Sequence, residues 1–207
     1  VSKSMNIIAL YLDGRRYVLD DSAAILSRAN QAMATLERYR LRLDEVTGAL
    51  STLEIEDLVT VRDVAVVMQR YEMVRRIASE LAGYVVELGT DGRLLSLQLD
   101  EFVAGTAEGQ RLVVRDYMPS AGRRTKPPEP VLASVAALDS ASLLDLGAVA
   151  GAMGLPSDLE ALDGTARPRG YRIVSRLPRL PEVVVENLIS HFGSLQRILS
   201  ASAEELR

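Results

Sequence analysis

Apolar residues in the run 25–50 recur at Ile25, Ala29, Ala32, Leu36, Tyr39, Leu43, Val46 and Leu50. The spacings alternate between four and three, which is the a/d rhythm of a helix-packing seam. Asp20, Asp21 and Ser22 supply N-cap candidates and negative charge at the start. Carried to Gly48, this helix is about 40 Å long at 1.5 Å per residue. A second helix is expected from Ser51 or Thr52, with Ser51 and Glu54 as a capping box. Val64, Val67, Tyr71, Val74, Ala78 and Leu81 repeat the rhythm. Two such helices most simply form an antiparallel hairpin that serves as a spacer or dimerising stalk.

Ahead of the seam, residues 5–19 read as a β-hairpin. Ile7-Ile8-Ala9-Leu10-Tyr11 meets Asp13-Gly14, and Arg16-Tyr17-Val18-Leu19 returns. Asp-Gly is a strong two-residue hairpin signal, because a type I′ turn needs φ > 0 at both central positions. A lone hairpin is marginal in water, so this one is expected to edge a sheet whose other strands lie elsewhere. Beyond the second helix, Gly89-Thr90-Asp91-Gly92-Arg93 is a turn. As a phosphate loop it is weak, since no Gly-Lys-Ser/Thr follows. Residues 94–103 read as a short helix, and 109–117 equally as helix or strand. Residues 119–130 carry turn formers, three cations and no apolar periodicity, which is the pattern of an exposed linker. Short helices return over 131–154, one opening at Asp139-Ser140 and ending at Gly154-Leu155-Pro156.

Composition narrows the function classes. The 207 residues contain no Cys, no Trp and a single His, His191. Thiolate metal sites, disulfide scaffolds and thiol nucleophiles are excluded, and a reducing cytosol is the expected compartment. A catalytic triad or multi-His metal centre within the chain is disfavoured. Aromatics are 4% of the residues, so the core must rest on aliphatic side chains, which favours helices. The net charge of −4 excludes a uniformly basic nucleic-acid coat but not a local patch. No apolar run is long enough to span a membrane. The chain opens on Val1 with no leader pattern and reads as a piece of something longer. Glu54, Glu56, Asp57 and Asp63 form an acidic cluster, read as a solvated helix face rather than a metal site.

One window departs from the overall charge. The run 165–181 holds five arginines, Arg167, Arg169, Arg172, Arg176 and Arg179, and no acid. Such a segment attracts phosphate by counterion release, or else pairs with acids elsewhere in an assembly. Leu177-Pro178-Arg179-Leu180-Pro181 is a tight turn leading into a helix bearing Val183, Val184, Leu188, Ile189 and Phe192. His191-Phe192-Gly193-Ser194-Leu195 ends that helix and starts another through Leu199, and Ala203-Glu204-Glu205-Leu206 begins one more.

This end resembles the first half of a tandem helix-hairpin-helix domain, in which hairpin N–H groups at a helix N-terminus hold a DNA phosphate without reading bases. The familiar hairpin carries two glycines. Here Arg179 and Pro181 occupy their places, and Pro181 has no N–H to give. The arginines would have to carry the phosphate contact. The glycine-rich second hairpin would begin after Arg207.

Taken whole, the chain resembles the bacterial DNA-integrity scanning diadenylate cyclases. The stretches that carry the resemblance are Asp21-Ser22-Ala23-Ala24-Ile25-Leu26-Ser27-Arg28-Ala29-Asn30-Gln31, Leu36-Glu37-Arg38-Tyr39, Glu54-Ile55-Glu56-Asp57-Leu58-Val59-Thr60-Val61-Arg62-Asp63-Val64 and Val85-Val86-Glu87-Leu88-Gly89-Thr90-Asp91-Gly92-Arg93. The resemblance implies a mainly α chain. Residues 1–20 would be a β-hairpin remnant closing an α/β cyclase domain, and 21–118 a long helical spine. Residues 119–130 would be the linker, and 131–207 a helical segment with an incomplete helix-hairpin-helix (SAM-like, RuvA domain 2-like) module. It further implies a bacterial, cytoplasmic, nucleoid-associated homo-octamer that condenses two ATP into cyclic di-AMP with Mg2+ or Mn2+. Branched DNA such as recombination junctions would suppress synthesis. The family's catalytic motifs, Asp-Gly-Ala and Arg-His-Arg, do not occur here, so the chain by itself is expected to be inactive and to hold no cofactor. Ser2 is implied at the nucleotide-pocket edge. Arg167, Arg169, Arg172, Arg176, Arg179 and Leu180 are the candidate DNA contacts, and Leu36, Tyr39, Leu43 and Val46 the spine and oligomer seam.

Two other readings compete with DNA sensing. A purely structural assembly module predicts self-association and no DNA binding. A structure-specific nuclease would need carboxylates near the basic window, where only Asp158, Glu160 and Asp163 are close in sequence.

Overall fold

A computed structural model describes residues 2–4, 7–12, 15–19, 22–119 and 127–205. The chain is mainly α. Strands β1 (Ser2–Ser4), β2 (Ile7–Leu12) and β3 (Arg15–Leu19) form one antiparallel sheet in the order β1-β2-β3. Leu10 faces Tyr17 and Ala9 faces Val18 across β2 and β3, while Ser2 pairs with Ala9 across β1 and β2. The Asp13-Gly14 turn lies outside the described residues. Eleven helices follow among the described residues.

The chain divides into two compact units, each drawn from separate stretches: Val1–Arg40 with Val74–Ala104, and Leu41–Met73 with Gly105–Arg207. Both cut across the sequential domains expected above. Helices α1 (Ser22–Glu56) and α2 (Val61–Leu88) each contribute to both.

In the first unit, α1 buries Ile25, Ala29, Met33 and Leu36, and α2 buries Val74, Leu81 and Leu88. A 3-10 turn (Gly89–Gly92) leads into α3 (Arg93–Val103), which buries Leu95 and Leu99. Arg28 lies over the Tyr84 ring at 5.9 Å. The expected seam is therefore real in its spacing. It is already filled: Leu36 and Leu43 are at most 1% exposed in the single chain, and Tyr39 and Val46 are half-buried. Leu36 and Leu43 are spine core and are not free to join a second copy, which corrects the oligomer half of that assignment.

In the second unit, α1 does not stop at Gly48. It continues to Glu56, because one exposed glycine costs a helix only about 1 kcal/mol and the residues after it still bury Leu50. The Ser51/Glu54 capping box is absent for the same reason: both sit inside the helix. The break comes at Asp57, whose φ is 58°. The working box belongs to Thr60 and Asp63 at the start of α2. Thr60 N–H donates to Asp63 Oδ2 (2.9 Å), and Asp63 N–H returns to Thr60 Oγ1 (3.3 Å). The ambiguous stretch resolves as α4 (Thr106–Tyr117), burying Val113, Val114 and Tyr117. Next come α5 (Glu129–Ala136), α6 (Ser140–Leu144), α7 (Leu146–Ala152) and α8 (Leu159–Leu162). Asp139 caps α6 by accepting from Ser142 N–H. Residues 120–126 of the expected linker, with Arg123, Arg124 and Lys126, lie outside the described residues.

The C-terminal part is α9 (Tyr171–Val174), a turn, α10 (Glu182–Phe192) and α11 (Leu195–Ser200). Tyr171, Val174, Val185 and Ile189 form its core. Gly193 ends α10 at φ 75°, and Ser202 and Glu205 make a reciprocal capping box over the turn 203–205. Leu206 lies outside the described residues.

Candidate nucleic-acid interface

The five arginines do not share one fate. Arg172 is 3% exposed and ion-paired, its Nη1 2.5 Å from Glu54 Oε1. Its Nη2 donates to Thr47 O (3.1 Å) and Ser51 Oγ (3.4 Å). A guanidinium so enclosed has no face for a phosphate, so Arg172 is struck from the DNA contacts. Arg169 is half-buried and donates from Nη2 to Met118 O at 2.8 Å, which makes it a tether to the end of α4. Leu180 packs partly buried against the Tyr171/Val185 core, so its side chain is structural too. Arg167, Arg176 and Arg179 are exposed. Ser2 lies in β1, outside this unit.

A buried polar hub holds the segment that carries the exposed arginines. Tyr117 Oη also donates to Glu54 Oε1 (2.7 Å). Glu54 is fully buried, which corrects the reading of the acidic cluster as one solvated face. Its Oε2 has no hydrogen-bond partner among the described residues. The preceding residue on α4, Asp116, caps α9 from outside the helix. Gly170 and Tyr171 N–H donate to Oδ1 (2.7 and 2.6 Å), and Arg172 N–H donates to Oδ2 (2.8 Å). These are the orphan donors of a helix start, satisfied here by a residue more than 50 positions away. Burial pushes the Asp116 carboxyl up to about 7, with Glu54 adding to the rise and the three N–H donors opposing it. Burial, and then Glu54, drives the Tyr117 phenol far above its ordinary value. Gly170 has φ 119°, a backbone conformation that calls for glycine.

The rim of the hub is charged. Arg115 sits 4.0 Å over the Tyr171 ring and ion-pairs with Glu186, while Tyr171 Oη donates to Glu186 Oε2 (2.9 Å). Gln196 Nε2 donates to Glu54 O (2.8 Å), fixing α11 to α1. On this base the turn 177–181 runs into α10. Arg179 stands at φ 64°, the left-handed region that favours glycine, and Pro181 is the N-cap at φ −63°, ψ 147°. The backbone thus adopts at Arg179 the conformation a glycine hairpin uses, with a cation in its place. Arg176 Nη1 donates to Ser51 Oγ of α1 at 3.1 Å.

Counting arginines missed Glu54, Asp116, Tyr117 and Ser51, which build the platform. One signal was available. Arg172 is flanked by Tyr171, Ile173 and Val174, and a lone charge in so apolar a run marks a buried, paired group.

A helical linker that braces an arginine-bearing turn is the class these features define. The chain belongs to the family described as the DisA bacterial checkpoint controller linker region, whose model matches residues 19–162. It is 62% identical over its whole length to the DNA integrity scanning protein DisA of Acidothermus cellulolyticus, covering 56% of that relative. It is 59% identical to the proteins of the same name from Streptomyces coelicolor and Frankia casuarinae, covering 56% and 57% of them. The chain thus spans little more than half the length of the curated relatives it matches.

Proposed function

We propose that this chain is the spine and the DNA-contacting part of a DNA integrity scanning diadenylate cyclase. The observation that carries the reading is the exposed Arg179, held at φ 64° at the entry to α10, with exposed Arg176 three residues before it. A turn that meets a helix N-terminus and replaces glycine with arginine suits the phosphate backbone and carries no base readout. The relatives' name, DNA integrity scanning protein, supports the same partner. In this reading α9, the turn and α10 are one helix-hairpin-helix unit. Arg167, Arg176 and Arg179 are the phosphate contacts, and branched DNA is the preferred form.

The remaining assignments follow the family resemblance. The sheet β1-β2-β3 is the closing edge of a cyclase domain, with Ser2 near the nucleotide. The assembled protein is an octamer that makes cyclic di-AMP from two ATP with Mg2+ or Mn2+. Among the described residues no three His, Asp or Glu side chains converge as a cation site. In this reading the metal and the ATP are held by other parts of the assembled protein.

The test is anisotropy of a labelled four-way junction and a linear duplex against this chain at several salt concentrations. The expected result is junction binding that weakens steeply with salt. Reversing charge at Arg176 and Arg179 should weaken it on every sequence and flatten the salt slope by about two phosphate contacts. Unchanged binding in that variant would reject this surface.

A further inference from the structure

We propose that Ser51 is a positioning residue for nucleic-acid binding: from α1 it holds the Arg176 guanidinium ready for a phosphate. This rests on the DNA-contact reading above and adds to it a residue 125 positions away from its arginine. A serine hydroxyl has one proton and two lone pairs. Ser51 sends its proton to Thr47 O (3.0 Å), and its oxygen accepts from Arg172 Nη2 (3.4 Å) and Arg176 Nη1 (3.1 Å). The hydroxyl is thereby committed, and the two guanidiniums it meets differ in kind. Arg172 is fixed independently by Glu54 and Thr47 O. Arg176 is exposed, and Ser51 is its hydrogen-bond partner among the described residues.

That bond uses one of the five N–H groups of Arg176. It leaves the Nε/Nη2 edge open for the two-pronged grip arginine takes on phosphate. An untethered arginine gives up its rotamer freedom when it binds. A tethered one has given up part of it already, so the tether should appear as affinity. The hydroxyl can do this from α1 because the hub fixes α9 there, with Arg172 one helical turn before Arg176.

Junction anisotropy on Ser51→Ala, Ser51→Thr, Arg176→Ala and the Ser51→Ala/Arg176→Ala double variant tests this. Ser51→Ala should weaken binding about three- to tenfold, the worth of one hydrogen bond, with the salt slope unchanged. Arg176→Ala should lower the slope by about one phosphate contact. Ser51→Thr, which keeps the hydroxyl, should restore affinity. In the Arg176→Ala background, Ser51→Ala should cost nothing further. Without DNA, the Arg176 Nε resonance should lose order in Ser51→Ala. A loss that persists when Arg176 is absent would assign Ser51 a purely structural role and overturn the proposal, as would an unchanged Ser51→Ala. Wild-type chain that ignores the junction at low salt, with an ordered Arg176 Nε, would reject the DNA reading and the positioning role with it.

Discussion

Arg172 and Arg179 stand seven residues apart in one basic run and live in opposite worlds. Arg172 is buried at a hub of Glu54, Tyr117, Thr47 and Ser51, and the neighbouring Asp116 caps its helix. Arg179 is exposed on a turn with its backbone in a glycine conformation. The same side chain serves as a structural bolt in one place and as a free cation in the other. What separates them is the neighbourhood: Tyr171, Ile173 and Val174 draw Arg172 inward, whereas Pro178 and Pro181 hold Arg179 on a turn. Charge density alone reports neither fate.

The largest effect should come from breaking the hub. Glu54→Ala leaves Arg172 buried and unpaired, and should cost about 3–5 kcal/mol in denaturant unfolding. A loss under 1 kcal/mol would mean the pair is not desolvated as described. The next effect should come from protons. The Asp116 carboxyl is raised in the folded state from an ordinary value near 3.8 to about 7. The folded chain therefore binds a proton in that interval that the unfolded chain has released. Stability from this group is full below about pH 4 and is lost as pH climbs through about 7. Thermal melts from pH 5 to pH 8 should show the fall, and Asp116→Asn should flatten it. The smallest effect tests the exposed side of the comparison. Arg179→Gly should raise stability by about 1 kcal/mol by relieving a left-handed non-glycine backbone. The same change should weaken junction binding and lower its salt slope. Stability and affinity moving together would break the contrast between bolt and contact.

Much of the helical fold was legible because it depends on local periodicity. Ile25 to Leu50 and Val64 to Leu81 announce their buried faces at helical spacing, and Phe192-Gly193-Ser194 announces a helix end. The Gly48 boundary misled because a glycine signals a stop only where burial does not carry the helix onward, and Leu50 carries it. The acidic cluster misled because Glu54 pairs with a residue 118 positions away, and no local pattern encodes that partner. The candidate interface was legible as a stretch, at 165–181, but not residue by residue. Exposure of Arg176 and burial of Arg172 follow from tertiary packing against α1 and α4. Asp116 left no trace, since an aspartate near a helix end ordinarily reads as solvated.

The long reach from Glu54 to Arg172 also bears on how the molecule comes into being. Contacts distant in sequence form late, because the intervening chain must first be ordered. On a ribosome adding 5–20 residues per second, the chain between them takes on the order of ten seconds to appear. The Gln196 bond to Glu54 O, 142 positions apart, waits longer still. During that interval α1 carries a carboxylate among apolar neighbours with its cation not yet made. Until Arg172 is made and paired with Glu54, the platform beneath the arginine turn is incomplete.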